Sequence, residues 1–145
     1  MILIETINTI REAAIIAKLA TIAGAPVVVS FVCNKDGSLL SGESLTDAAR
    51  ELLPLGISAI GVNCGPTPFL AKPLVELQNV CGKDFPLIAY GNIGYADDEV
   101  GWVNTDTEDP KAYCRHAVRW PVKIVGGCCG TTPGHIEALA AVLRR

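Results

Sequence analysis

Five times along the chain, a short and continuous apolar run gives way to a segment whose apolar residues recur every three to four positions. The runs are Ile2 to Glu5, Pro26 to Val32, Ala59 to Cys64, Pro86 to Tyr90 and Val122 to Gly127. They carry β-branched residues and do not alternate with polar ones, which predicts strands covered on both faces. The segments between them predict helices. Thr9-Ile10-Arg11-Glu12 reads as a capping box, followed by a buried stripe of Ile10, Ala13, Ala14 and Ala17 that stops at Gly24 and Pro26. This helix is also apolar off its stripe, at Ile15, Ile16 and Leu19. Ser44 and Asp47 cap a second helix with a stripe of Leu45, Ala48, Ala49 and Leu52, ended by Gly56. A third runs from about 68 to 80 and contains Pro73. Asp109-Pro110 supplies N-cap and first turn of a fourth, and Thr132-Pro133 opens a fifth with an expected stripe of Ile136, Leu139, Ala140 and Leu143. Residues 92 to 108 read as a long Gly/Asp-rich loop, a length that compact units tend to reserve for function.

Apolar strands alternating with helices predict an α/β domain with a parallel sheet built of right-handed βαβ units, spanning 1–145 as a single domain. An open doubly wound sheet and part of a (β/α)8 TIM-type barrel both satisfy this pattern. Either one places chemistry at the carboxyl ends of the strands. Glu5, Cys64 and Cys128 fall there. No glycine-rich phosphate loop or dinucleotide fingerprint is present.

Composition narrows the function classes. Half of the 145 residues are apolar and 19% are charged, which suits a globular core, and the net charge of −3 offers no electrostatic footprint for nucleic acid. No basic cluster points to a membrane surface, and no apolar run approaches the roughly 20 residues of a membrane span. The opening Met1-Ile2-Leu3-Ile4-Glu5 lacks the marks of a signal peptide. Six cysteines in so apolar a chain fit a reducing, cytoplasmic setting better than a disulfide-stapled scaffold.

The candidate chemistry lies in Gly126-Gly127-Cys128-Cys129-Gly130-Thr131-Thr132-Pro133 and in Gly61-Val62-Asn63-Cys64-Gly65-Pro66. In each, an apolar run stops at sulfur and a Gly/Pro turn follows. Adjacent cysteines pair with each other only under strain, so a disulfide explains Cys128 and Cys129 badly. Three thiolates at strand ends suit one soft metal ion, with Zn2+ as the expected ion and one coordination position left open. The competing readings are buried inert thiols and a redox dithiol, the latter disfavoured by the adjacent spacing. Cys33, Cys81 and Cys114 match no motif and read as packing residues. His135, in the first turn of the last helix, reads as a solvated or capping residue.

With Glu5-Thr6 after the first strand and Ser41-Gly42-Glu43-Ser44 in between, these motifs stand in the order and spacing of a known family. Over nearly its whole length the chain resembles the homocysteine S-methyltransferase family. The resemblance implies a (β/α)8 barrel with zinc held at its mouth by Cys64, Cys128 and Cys129. The five strands would be the fourth to the eighth, so the chain would be the carboxyl-terminal portion of a barrel whose first three strands are absent. It further implies that Glu5 binds the amino group of homocysteine. Asn92 stands in the family's Pro-Asn position, with Gly91 in place of the proline, and joins Asn63 as a substrate-side candidate; bracing of the loop by hydrogen bonds is the other reading of Asn63. The implied reaction is methyl transfer from a small donor to the homocysteine thiol, giving methionine. The alternative is an inert metal-binding half-barrel that self-associates or needs a partner half, since five open strands leave two unpaired edges.

Overall fold

The protein is described here by a computed structural model covering residues 1–143. The elements follow in the order β1 (Ile2–Ile7), α1 (Ile10–Ile22), β2 (Val27–Phe31), α2 (Leu45–Leu52), β3 (Ala59–Pro66) and α3 (Ala71–Cys81). Then come β4 (Leu87–Asn92), β5 (Gly94–Asp97), β6 (Gly101–Asn104), α4 (Pro110–Ala117), β7 (Ile124–Gly127) and α5 (Pro133–Leu143). Local chemistry sets the helix starts. Thr9 accepts from the Glu12 amide, Ser44 from that of Asp47, and Asp109 from those of Lys111 and Ala112 ahead of Pro110. Pro73 is tolerated because it sits in the first turn of α3, where its missing N–H has no intrahelical partner to lose.

β1, β2, β3, β4 and β7 form one sheet in that order, and every pair is parallel. Sequential order with right-handed crossovers puts every connecting helix on the same face of the sheet. A doubly wound sheet reverses its strand order and has helices on both faces; this one does not. The main core lies between sheet and helices, with Val27, Val29, Phe31, Ile60, Val62 and Leu87 against Ala13, Ala17, Leu45, Leu52, Leu74 and Leu77. The other face carries a smaller cluster of Val28, Ala59 and Ile88, with Tyr90 packed against it. At the two edges of the sheet, Leu3 and Ile124 remain 40% and 41% exposed.

Two departures from the sequence pattern matter. The expected loop over 92–108 contains an antiparallel hairpin, β5 with β6, turned at Gly101 in the left-handed region at φ 79°. The expected stripe of α5 is rotated: Leu139 is buried, but Ile136 and Leu143 are exposed and His135 takes the inward position at 2% exposure. The helix is apolar nearly all round, so its periodicity fixes no phase. Contacts of His135 with distant parts of the chain fix it instead. Stripes expected for α1 and α2 are found, and Ile15, Leu19 and Ile22 of α1 face outward and exposed. No helix among the described residues is long and apolar enough to cross a membrane.

Candidate metal centre

Regular pairing breaks at two places in the sheet, both at carboxyl ends of strands. The register of β1 on β2 shifts between Ile4 and Ile7, and that of β3 on β4 shifts between Asn63 and Pro66. Thr6 and Cys64 occupy these irregularities with φ of 62° and 57°, the only two non-glycine residues in the left-handed region among those described. Such a backbone costs of order 1–3 kcal/mol per residue and needs support from its surroundings. Asn63 supplies much of it. Its Oδ1 accepts from the Thr6 amide at 3.1 Å and from the Ser30 hydroxyl at 2.8 Å, and its Nδ2 donates to Thr6 Oγ1 at 2.8 Å. The kink re-aims Cys64 out of the strand direction.

The dicysteine turn is held by the end of β4. Cys128 donates its amide to Gly91 O at 2.9 Å, and the Ile93 amide donates to Cys129 O at 3.1 Å. Thr131 Oγ1 donates to Cys128 O at 2.7 Å. Asn92 joins the two halves of the cluster: its Nδ2 donates to Cys64 O at 2.7 Å, while its Oδ1 accepts from the Cys129 amide at 3.0 Å. Behind it, the fully buried Tyr113 accepts from the Gly91 amide at 3.0 Å and donates to Gly126 O at 2.7 Å, tying β4 to β7.

The outcome is a cluster of three sulfurs. Cys64 Sγ lies 3.7 Å from Cys129 Sγ, which lies 3.9 Å from Cys128 Sγ, and all three fall within 4.8 Å of one another. A tetrahedral ion with metal–sulfur distances of about 2.3 Å needs its sulfurs about 3.8 Å apart. The cluster could therefore bind a metal ion with little rearrangement. Burial first, then the charges of Cys64 and Cys129, push the Cys128 thiol up to about 12. Burial first, then Cys129, pushes Cys64 up. Both therefore hold protons at neutral pH without a metal and release them on ligation. The sign follows: proton release favours binding as pH rises, so affinity for a divalent ion at pH 7 should exceed that at pH 6 by about a hundredfold from these two protons alone. Competition with a chelator of known pH dependence measures this; an affinity flat in pH would show that neither thiol ligates.

The remaining expected residues fall as follows. Glu5 is exposed at the carboxyl end of β1, and its Oε2 accepts from the Tyr90 hydroxyl at 2.8 Å. Asn63 and Asn92 are 1% and 5% exposed, and their amides are engaged with the chain as described. Cys33, Cys81 and Cys114 pack against the main core, away from the cluster, with thiols raised chiefly by burial. His135 is a capping residue but not a solvated one. Its Nδ1 accepts from the Thr132 amide at 3.1 Å and its Nε2 lies 3.1 Å from Thr107 O. The motifs do not mark two further residues of the site. Tyr90 ends an apolar strand with a polar tip, the same signal that singles out Glu5 and Cys64. Tyr113 lies within α4, and no local pattern marks its reach to β4 and β7.

Fold and site together define a parallel α/β protein with a three-thiol, metal-competent cluster at the carboxyl ends of its strands. A family model described as homocysteine S-methyltransferase matches residues 1–143, and the chain belongs to that family. Homocysteine S-methyltransferase 2 of Arabidopsis thaliana is 30% identical, across 96% of this chain and 44% of its own length. Betaine-homocysteine S-methyltransferase of Drosophila melanogaster is 31% identical, across 94% of this chain and 45% of its own. The solved structure of the homocysteine methyltransferase MmuM from Escherichia coli, in its metallated form, is similar at a TM-score of 0.77 and 26% identity, covering 97% of this chain and 44% of that one. The chain thus spans less than half the length of these relatives.

Proposed function

We propose that the chain carries the zinc site of a homocysteine S-methyltransferase and forms the carboxyl-terminal portion of its barrel. The supporting observation is the spacing of the three sulfurs, 3.7 and 3.9 Å for two of the pairs and within 4.8 Å for all three, which suits a tetrahedral thiolate-held ion of zinc's size. Zinc held there supplies the acidity that makes an incoming thiol a thiolate at neutral pH, and a thiolate is the nucleophile that methyl transfer requires. The chain's residues do the rest. Cys64, Cys128 and Cys129 hold the ion and leave a fourth position for the homocysteine sulfur. Glu5 takes the substrate ammonium. Asn63 and Asn92 stand beside the substrate; Asn92 keeps the two cysteine segments at a fixed separation, and Asn63 braces the end of β1 against β3. The product is methionine. All six cysteines are free, in keeping with a cytoplasmic setting.

A second reading has its own observation. β1 and β7 pair on one side only among the described residues, and Leu3 and Ile124 at those edges are exposed. Such edges and faces invite a partner. On this reading the chain binds zinc but turns over only with the rest of a barrel or a second copy. Zinc-loaded chain assayed for methionine formation from homocysteine, with betaine, S-methylmethionine and S-adenosylmethionine offered in turn, separates the two. Zinc-dependent methionine supports the first reading. Bound zinc without product from any donor supports the second. Absence of bound zinc defeats both.

A further inference from the structure

Residues two apart along a strand share a face, so Glu5, Ser30, Tyr90 and Gly126 follow Leu3, Val28, Ile88 and Ile124 on the side of the sheet away from the helices. The last layer before the sulfur cluster is built from these side chains. Tyr90 belongs to β4 and Glu5 to β1, with β2 and β3 between them. Only a long side chain spans that distance, and only small ones leave it room. Ser30 and Gly61, paired across β2 and β3, are the small residues between them; Gly61 stands level with Ile88, one same-face step before the Tyr90–Asn63 pair, so the Tyr90 side chain reaches diagonally over them. The Tyr90 hydroxyl completes the span by donating to Glu5 Oε2 at 2.8 Å. Its ring root also backs the strand that leads to the dicysteine turn, since a methyl on Gly126 would lie 3.5 Å from Tyr90 Cβ.

We propose that Tyr90 is a positioning residue that fixes the Glu5 carboxylate for the substrate ammonium, and so makes the site selective for α-amino thiols over thiols without the amine. This rests on the reading of Glu5 given above. Glu5 is an exposed side chain at a strand end, and nothing else among the described residues donates to its carboxylate. Left alone, it would sample many rotamers, and ordering it on binding would oppose affinity. One phenolic donor removes that freedom at one oxygen and leaves the other for the ligand. A phenol also suits the task better than lysine or arginine would. It donates a single hydrogen bond without bringing a positive charge that would compete with the ammonium for the same carboxylate.

The test compares homocysteine with 4-mercaptobutanoate, which keeps the thiol and carboxylate but has hydrogen in place of the amine. Both are titrated calorimetrically into zinc-loaded protein. Wild type should prefer homocysteine. Tyr90→Phe should lower that preference about tenfold, the scale of a hydrogen bond to a charged group, by weakening homocysteine alone. Zinc stoichiometry and the affinity for 4-mercaptobutanoate should stay at their wild-type values. In a Glu5→Gln background, adding Tyr90→Phe should change little, because the pair acts as a unit. A full preference retained in Tyr90→Phe, or an equal loss for both thiols, overturns the role of Tyr90 and leaves that of Glu5 standing. A wild type that binds the two thiols equally overturns the role of Glu5 and this inference with it. Binding of neither thiol to the zinc form counts against the proposed function itself.

Discussion

Serine in place of Cys64, Cys128 or Cys129 is expected to cost the protein its zinc. A serine hydroxyl keeps the size of the thiol but neither ionises at neutral pH nor offers a soft donor. Each sulfur is one of only three protein ligands, so its loss should exceed the roughly 10–100-fold drop in affinity that follows loss of an outer hydrogen-bond partner. Cys33→Ser and Cys114→Ser are the internal comparison, because these thiols pack against the core rather than the cluster. Zinc content after dialysis against a competing chelator should fall to a small fraction in the first three variants and stay near wild type in the other two. Equal loss across all five would mean that metal retention reports fold stability rather than ligation.

The second large effect belongs to a residue with no chemistry of its own. A methyl added to Gly61 would overlap the carbonyl oxygen of Ile88 and sit 2.6 Å from its carbonyl carbon. Both partners are backbone in adjacent central strands, β3 and β4, so neither yields without breaking the ladder that carries Asn63 and Cys64. Gly61→Ala should therefore destabilise by more than about 4 kcal/mol, a large share of a typical domain's whole stability. Gly24→Ala is the contrast. It has φ of +72° but open space around the missing methyl, so it should cost only the left-handed backbone strain of about 1–2 kcal/mol. Urea unfolding of the two variants measures the difference. Similar midpoints would mean that the close approach at Gly61 relaxes freely.

What the sequence discloses of this protein follows from the range of the forces involved. Strand and helix alternation is legible because each parallel strand must be apolar on both faces, as in Val27 to Phe31, and because Thr9, Ser44 and Asp109 act on amides two or three residues away. The three cysteines are legible because each ends or follows a strand. The β5–β6 hairpin is not, since its strands are four residues each, rich in glycine and polar groups, and stabilised by pairing with each other rather than by burial. The phase of α5 is hidden for a different reason. It depends on His135 meeting Thr107, 28 residues back, and the ring of Tyr113 at 5.5 Å. Likewise nothing local announces that Asn92 links Cys64 to Cys129, or that Asn63 steadies Thr6 across 57 residues. Chemistry-bearing residues can thus be read from strand ends, while the braces that aim them emerge only from the folded chain.

X-ray absorption at the zinc edge, on the purified and zinc-loaded chain, reaches the claim on which all of this depends. Three sulfur neighbours at about 2.3 Å, with one ion per chain and a fourth sulfur on adding homocysteine, is the predicted spectrum. A first shell made of nitrogen and oxygen, or of two sulfurs or fewer, would contradict it.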